Sequence, residues 1–339
     1  MNSTVLPEKG LAVPLTDLPL DQLRGFRPDV LEPDGFDGFW AATLAESRAL
    51  AWAPRLERVQ SVLRTVEIYD VTFAGYRGQP IRAWLTLPAD APGPLPTVVE
   101  YQGYNGGRGA PGERLFWASA GYAHFFMDTR GQGSGWGTGG HTPDPEGSDA
   151  SAAGWMTRGI LDPETYYYRR VFTDAALAID AARSLAQVDE ARVGIAGASQ
   201  GGGIALAAAG LVPDVRAVMP DVPFLCHFRR AAEITGVEPF TEITRYLAVH
   251  RNAVDQVFDT LSYFDGVNFA RRGTVPALFS AALMDDVVPP STIFAAFNRY
   301  AGPATIEVYP FNGHESGQLV HHIKQATWLP QHIGQPGVA

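Results

Sequence analysis

A serine flanked by glycines, Gly197-Ala198-Ser199-Gln200-Gly201, separates an apolar strand-like run at 193–196 from a helical run of small residues at 204–210. No other segment constrains the fold as strongly. A serine at the apex of a tight strand-to-helix turn has its hydroxyl pushed clear of the sheet, and the backbone on either side passes close to its neighbours. Side chains two positions before and after would collide there, so glycine occupies both. The turn also opens a helix, whose free N–H groups and dipole favour negative charge beside the serine. Ordinary glycine-rich turns produce the same five letters, but the strand before and the helix after favour a nucleophilic serine. The junction implies an esterase-type enzyme on an α/β scaffold.

The rest of the chain fits such a scaffold. Buried strands are expected at 97–101, 123–127, 193–196, 217–220, 277–283 and 305–309, with helices at 168–185, 204–211, 290–300 and 319–329. Short continuous apolar strands alternating with helices imply a doubly wound, mostly parallel sheet. Upstream, 66–87 alternates apolar and polar residues around Gly75, Gly78 and Pro80, which reads as antiparallel strands extending one edge. The first stretch, 1–60, is rich in proline and acidic residues and carries an aromatic helical segment with Phe36, Phe39, Trp40, Leu44, Leu50 and Trp52. It reads as an arm packed on a single domain spanning 1–339.

Composition narrows the partners. A net charge of −10 with no basic run makes nucleic acid and anionic membranes poor candidates and suits a neutral substrate. Cys226 is the only cysteine, so neither an intrachain disulfide nor a cysteine zinc cluster can form, which fits a reducing compartment. Positions 1–14 lack the basic and apolar regions of a signal peptide, and no run of apolar residues is long enough to span a bilayer. A cytoplasmic location is expected.

In α/β hydrolases the catalytic groups follow the chain order nucleophile, acid, histidine, each on a loop after a strand. Of the histidines late enough in the chain, His321, His322 and His332 fall in or at the end of a helix and read as surface residues. His314 follows the last strand in the loop Phe311-Asn312-Gly313-His314-Glu315 and is the expected general base. The acid that orients it follows the preceding strand, where Asp285 and Asp286 are adjacent and pattern does not choose between them. The oxyanion donors are expected to be the backbone amide of Gln200 and one from the glycine-rich loop after 97–101, with Tyr104 well placed. Arg130, in Arg130-Gly131-Gln132-Gly133, reads as a brace for the loops around the nucleophile, with Asp128 as its anchor.

Several segments together resemble the acetyl xylan esterase and cephalosporin C deacetylase family of α/β hydrolases. They are Gly103-Tyr104-Asn105-Gly106-Gly107-Arg108-Gly109, Asp128-Thr129-Arg130-Gly131-Gln132-Gly133-Ser134-Gly135-Trp136 and the residues from Gly197 to Gly202. Further matches are Arg158-Gly159-Ile160-Leu161-Asp162, Tyr166-Tyr167-Tyr168-Arg169-Arg170, Pro223-Phe224-Leu225-Cys226-His227-Phe228-Arg229-Arg230 and His314-Glu315. The resemblance implies a triad of Ser199, Asp285 and His314, choosing Asp285 of the adjacent pair, with oxyanion donors at Tyr104 and Gln200. It implies deacetylation of xylo-oligosaccharides and of small esters such as cephalosporin C, without metal or cofactor, by a hexamer whose sites face an internal cavity. Bulky groups, Tyr104, Phe224, Val287 and Val288, are expected to close the acyl pocket around an acetyl methyl. A propeller-bearing peptidase needs a longer chain, and a lipase needs an apolar lid that the sequence lacks. A non-catalytic binding protein would have no use for three intact triad positions.

Overall fold

Short runs of branched and aromatic residues form one nine-stranded sheet in the computed structural model, which describes residues 17–146 and 154–336. Positions 1–14, read above for the lack of a leader, lie outside the described residues. The strands are β1 (Arg55–Arg58), β2 (Val66–Ala74), β3 (Pro80–Pro88), β4 (Leu95–Tyr101), β5 (Ala123–Met127), β6 (Val188–Ala198), β7 (Ala217–Asp221), β8 (Ala277–Ala282) and β9 (Ala304–Tyr309). Their spatial order is β1-β2-β3-β5-β4-β6-β7-β8-β9. Neighbours from β1 to β5 pair antiparallel, and those from β5 to β9 pair parallel. The α/β-hydrolase architecture expected from the sequence is therefore present, including its antiparallel edge.

Adjacent residues of each central strand enter different cores, as the two-residue repeat of a strand requires. Val99, Ile195, Val218 and Phe279 face the large core, whereas Val98, Ala196, Met219 and Leu278 face a smaller one with Trp117 and Leu329. The large core receives α4 (Tyr167–Arg183) and α5 (Gln200–Leu211) after α1 (Leu20–Gly25), α2 (Phe36–Ala49) and α3 (Phe116–Ser119) in chain order. Between β7 and β8 stand α6 (Phe228–Ile234), α7 (Thr241–Val249), α8 (Val254–Ser262) and α9 (Gly266–Ala270). The chain ends through α10 (Pro290–Phe297), α11 (Gln318–Trp328) and α12 (Pro330–Ile333). Among the described residues no helix is long and apolar enough to cross a membrane.

From β4 the chain goes to β5 on one side, then crosses to β6 on the other side of β4. Loops leaving β4 and β6 thus diverge, and a crevice opens at the carboxyl ends of these strands. Tyr101 and Gly197 are register partners there, so the loop carrying Tyr104 and the turn carrying Ser199 begin side by side.

The aromatic arm covers its own chain. Trp40 is 2% exposed, packs against Phe172, Phe264 and Phe269, and donates its indole N–H to the Tyr263 carbonyl at 2.9 Å. Phe36 and Phe39 join the same cluster, and Trp52 donates to the Gly78 carbonyl. Three features depart from the sequence reading. The edge strand β1, Arg-Leu-Glu-Arg, has too little apolar alternation to announce itself. The helices from α6 to α9 were not foreseen, and α6 and α9, at 7 and 5 residues, are too short for a helical period. His321 is not a surface residue: it is fully buried beneath β9, with Nδ1 3.1 Å from the Tyr309 hydroxyl.

Candidate active site

Strand β6 ends at Ala198 and α5 begins at Gln200, leaving Ser199 alone at the apex with φ 56° and ψ −120°. Such a conformation costs a non-glycine residue about 1–3 kcal/mol and persists because the surroundings over-determine it. The Ser199 N–H donates to the Asp221 carbonyl at 2.9 Å, and its own carbonyl accepts from Gly203 and Phe224. The glycines answer a steric demand: a Cβ on Gly197 would lie 2.3 Å from the Gly201 backbone, and one on Gly201 would lie 2.1 Å from the Tyr101 carbonyl oxygen.

Ser199 Oγ lies 2.9 Å from His314 Nε2, and His314 Nδ1 lies 2.8 Å from Asp285 Oδ2. The ionised carboxylate accepts only, so Nδ1 carries the proton and Nε2 is left as the acceptor for the serine hydroxyl. Asp285 is fully buried, and its Oδ1 accepts the amides of Val287 and Val288 at 2.9 and 2.8 Å. Asp286 is exposed and turned away, with its carbonyl taking the Thr235 hydroxyl. Of the two aspartates that pattern left open, Asp285 is the one hydrogen-bonded to His314.

One buried group ties the loops together. Asp221, at the end of β7, accepts the hydroxyls of Ser280 on β8 and Ser316, the latter at 2.7 Å, two residues beyond His314. Its backbone carbonyl holds Ser199, so the Ser199 turn and the histidine loop share an anchor.

The amide N–H groups of Tyr104 and Gln200 have no acceptor among the described residues, although those of Gly103, Asn105 and Ser199 beside them do. Asn105 N–H donates to Gln132 Oε1 at 2.7 Å, and Gln132 Nε2 donates to the fully buried Gln200 side chain at 2.9 Å. Gln200 Nε2 reaches the Gln102 carbonyl at 3.1 Å. Both side-chain amides therefore stitch the loop after β4 to the Ser199 turn. Tyr104 itself is gripped twice: the Trp136 indole donates to its carbonyl at 2.7 Å, and its hydroxyl donates to Glu242 on α7 at 2.6 Å. Burial raises the Glu242 carboxyl above its usual range, and the Tyr104 and backbone donors only partly offset this.

Arg130 does brace this region, but through other partners than expected. It is fully buried, with Nε 2.6 Å from Asp174 and Nη1 3.3 Å from Asp144. Asp128 instead accepts the amides of Arg108 and His141, clipping two loops together. Its short carboxylate reaches backbone donors flanking the strand end, whereas the long guanidinium reaches carboxylates far along the chain.

The site opens into a cavity of about 440 Å³. Ser199, His314, Tyr104, Val287, Trp136, Asp221, Glu238 and Glu315 are among its lining residues. Phe224 and Val288 are not; both are fully buried behind the wall. Phe224 meets the Tyr104 ring edge-on at 6.1 Å, and the Val288 amide supports Asp285, so each acts through the residue in front of it. Sequence reading missed Asp221, Gln132, Glu242 and Trp136 as site groups. Gln132 and Trp136 lay inside a segment already singled out, while Asp221 and Glu242 give no local signal. Among the described residues no group of three or more His, Cys, Asp or Glu side chains is arranged to hold a metal ion.

The profile of the acetyl xylan esterase family (AXE1) matches residues 13–332. The chain is 27% identical over 330 residues to the acetyl esterase Axe7A of Xylanibacter ruminicola, covering 91% of this chain and 70% of that protein. An acetyl xylan esterase from a Paenibacillus species is 41% identical, with a TM-score of 0.86 over 93% of this chain and 100% of that one. Acetyl xylan esterase 1 from a Thermoanaerobacterium species is 33% identical, with a TM-score of 0.84 over 92% of this chain and 98% of that one.

Proposed function

The chain belongs to the acetyl xylan esterase family and is a carboxylic ester hydrolase, and we propose that it deacetylates xylo-oligosaccharides and small esters such as cephalosporin C through an acetyl-serine. One observation carries this reading: an unbroken relay from Asp285 through His314 to Ser199, with two amides, Tyr104 and Gln200, that have no acceptor among the described residues.

In the proposed mechanism, His314 Nε2 takes the Ser199 proton as Oγ attacks the acetyl carbonyl. The tetrahedral oxyanion receives hydrogen bonds from the Tyr104 and Gln200 amides, and each such donor is worth about 2.7–4 kcal/mol in the transition state. Collapse breaks the bond to the sugar oxygen, which leaves with the proton from His314. Water then attacks the acetyl-serine, giving its proton to His314, and acetate departs as Ser199 regains a proton. Asp285 keeps the imidazole in the right tautomer and stabilises the imidazolium at each attack.

The same reading takes 1–339 as one domain, places it in the cytoplasm, and has it assemble as a homo-hexamer. Family membership supports the assembly, and so do Leu319, Val320 and Ile323, apolar and 58%, 60% and 53% exposed on α11. Closed symmetric assemblies cover such patches.

The test is Ser199→Ala together with a fluorophosphonate label. The variant should lose on the order of 10⁴–10⁶ in kcat while melting as a folded protein, and the label should attach at Ser199. A folded variant that keeps a tenth of the activity would overturn the nucleophile assignment.

A further inference from the structure

Of the 7 tryptophans, Trp136 alone is exposed, with 50% of its surface open. Exposing a large aromatic ring is unfavourable unless something covers it. This ring is also fixed in place. Its indole N–H is bonded to the Tyr104 carbonyl at 2.7 Å, its backbone bridges to Gly106, and the preceding Gly135 N–H donates to the Asn105 carbonyl at 3.1 Å. Glycine is needed beneath it, since a Cβ on Gly106 would come within 2.4 Å of the indole. The chain thus seats one part of the ring on bare backbone and turns the rest outward, into the cavity that holds Ser199.

The polar groups of that cavity narrow what the ring receives. Glu100 is paired with Arg114 and Glu238 with Arg245, so those carboxylates are compensated. Neither Asp221 nor Glu315 meets an arginine or lysine among the described residues; the ion-pair contact of Asp221 is His321 Nε2 at 3.8 Å, an imidazole that burial disposes to stay neutral. The two serine hydroxyls both fall on Asp221 Oδ1, leaving Oδ2 without a donor among the described residues, and Glu315, exposed at the rim, takes the Asn312 side chain and the Gly313 amide on Oε1. Carboxylates accept hydrogen bonds from hydroxyls and repel anions. An aromatic face is electron-rich and attracts the partly positive C–H groups on one side of a sugar ring. A fixed indole beside carboxylates with acceptor capacity to spare therefore suits a neutral polyhydroxy ring rather than an acyl chain or an anionic group. Because the ring is already immobilised, stacking on it costs little ordering.

We infer that Trp136 is the floor of a pyranose subsite at the mouth of the active-site cavity, stacking a neutral sugar ring whose hydroxyls donate to Asp221 and Glu315. The inference rests on the reading of Ser199 as the nucleophile and specifies what lies beside it.

The experiment compares kcat/KM on acetylated xylobiose and on methyl acetate for the native protein, Trp136→Phe and Trp136→Leu. Both variants lose the bond to the Tyr104 carbonyl and so slow on either ester, which makes the ratio between substrates the informative quantity. Trp136→Phe keeps an aromatic face and should hold the ratio within about threefold. Trp136→Leu keeps apolar bulk without that face and should lower the ratio about tenfold, mainly through KM. Calorimetry of unacetylated xylotriose on the Ser199→Ala protein should show binding that weakens about tenfold when Trp136→Leu is added. An unchanged ratio in Trp136→Leu overturns the subsite, as does a change of assembly mass in that variant with the ratio unchanged, which would make the ring a contact between copies. Retained activity in Ser199→Ala sinks the nucleophile reading instead and is a separate outcome.

Discussion

Replacing Asp285 by asparagine leaves the shape of the site nearly unchanged and reverses one hydrogen-bonding role. Three donors converge on the Asp285 carboxylate: His314 Nδ1 on Oδ2, and the amides of Val287 and Val288 on Oδ1. Asparagine offers one oxygen and one NH₂. If the oxygen stays with the two amides, the NH₂ faces Nδ1 and forces the imidazole proton onto Nε2, where it can no longer accept from Ser199. If the side chain flips, the NH₂ confronts two buried N–H groups. The first arrangement strands fewer donors and should prevail. A histidine held in the wrong tautomer costs on the order of 10⁴ in kcat, about 5 kcal/mol of transition-state stabilisation. Asp286→Asn alters an exposed side chain that makes no hydrogen bond among the described residues, and should stay within about threefold of native. The assay is steady-state deacetylation of an aryl acetate at neutral pH, with melting curves to show that both variants fold. A folded Asp285→Asn protein losing less than tenfold, or an Asp286→Asn protein losing more than it, would refute the argument.

Two further outcomes follow from the walls of the cavity. Burial alone would raise the Glu100 carboxyl, but His124 at 3.0 Å and Arg114 at 3.2 Å overturn that and hold it at about 2, against an ordinary value of 4.5. A lowered carboxyl stabilises the fold above its unfolded pKa, and that contribution is lost as pH falls toward 2. The stability advantage of the native protein over Glu100→Gln should therefore shrink by on the order of 2–3 kcal/mol between pH 6 and pH 2 in denaturant titrations, and a constant difference would contradict it. With Tyr104 and Val287 in the wall, backed by the fully buried Phe224 and Val288, acyl chains longer than propionyl should react progressively more slowly. A deep apolar channel would instead gain up to ~0.8 kcal/mol per added methylene, so faster octanoyl than acetyl aryl ester hydrolysis would show the wall to be open.

Legibility from sequence followed how local each physical demand is. Ser199 was readable because the clash that requires Gly197 and Gly201 arises within a few residues and leaves a mark at both positions. His314 was readable from strand order. The choice of Asp285 was not, because two adjacent side chains on one loop differ only in where the backbone aims them. Arg130 shows the same limit: its partners lie 14 and 44 residues away, and only the folded chain brings them closer than Asp128. His321 was misread because a histidine on a C-terminal helix gives no sign that Tyr309 closes over it. Phe224 and Val288 were expected to line the pocket but stand one layer behind the cavity, a depth that pattern cannot resolve.

The helices between β7 and β8 divide labour in this molecule along the chain. Ser199, Asp285 and His314 all stand on loops at the ends of sheet strands, whereas Glu238, Pro239 and the Glu242 clamp on Tyr104 come from the helical insert. The insert thus supplies part of the cavity wall and a support for Tyr104, but no member of the relay. A change in the insert can therefore reshape one side of the entrance while the proton relay stays where the sheet puts it. One tether limits that freedom: whatever replaces the insert must still present an acceptor to the Tyr104 hydroxyl, or the amide that meets the oxyanion loses its hold on that side.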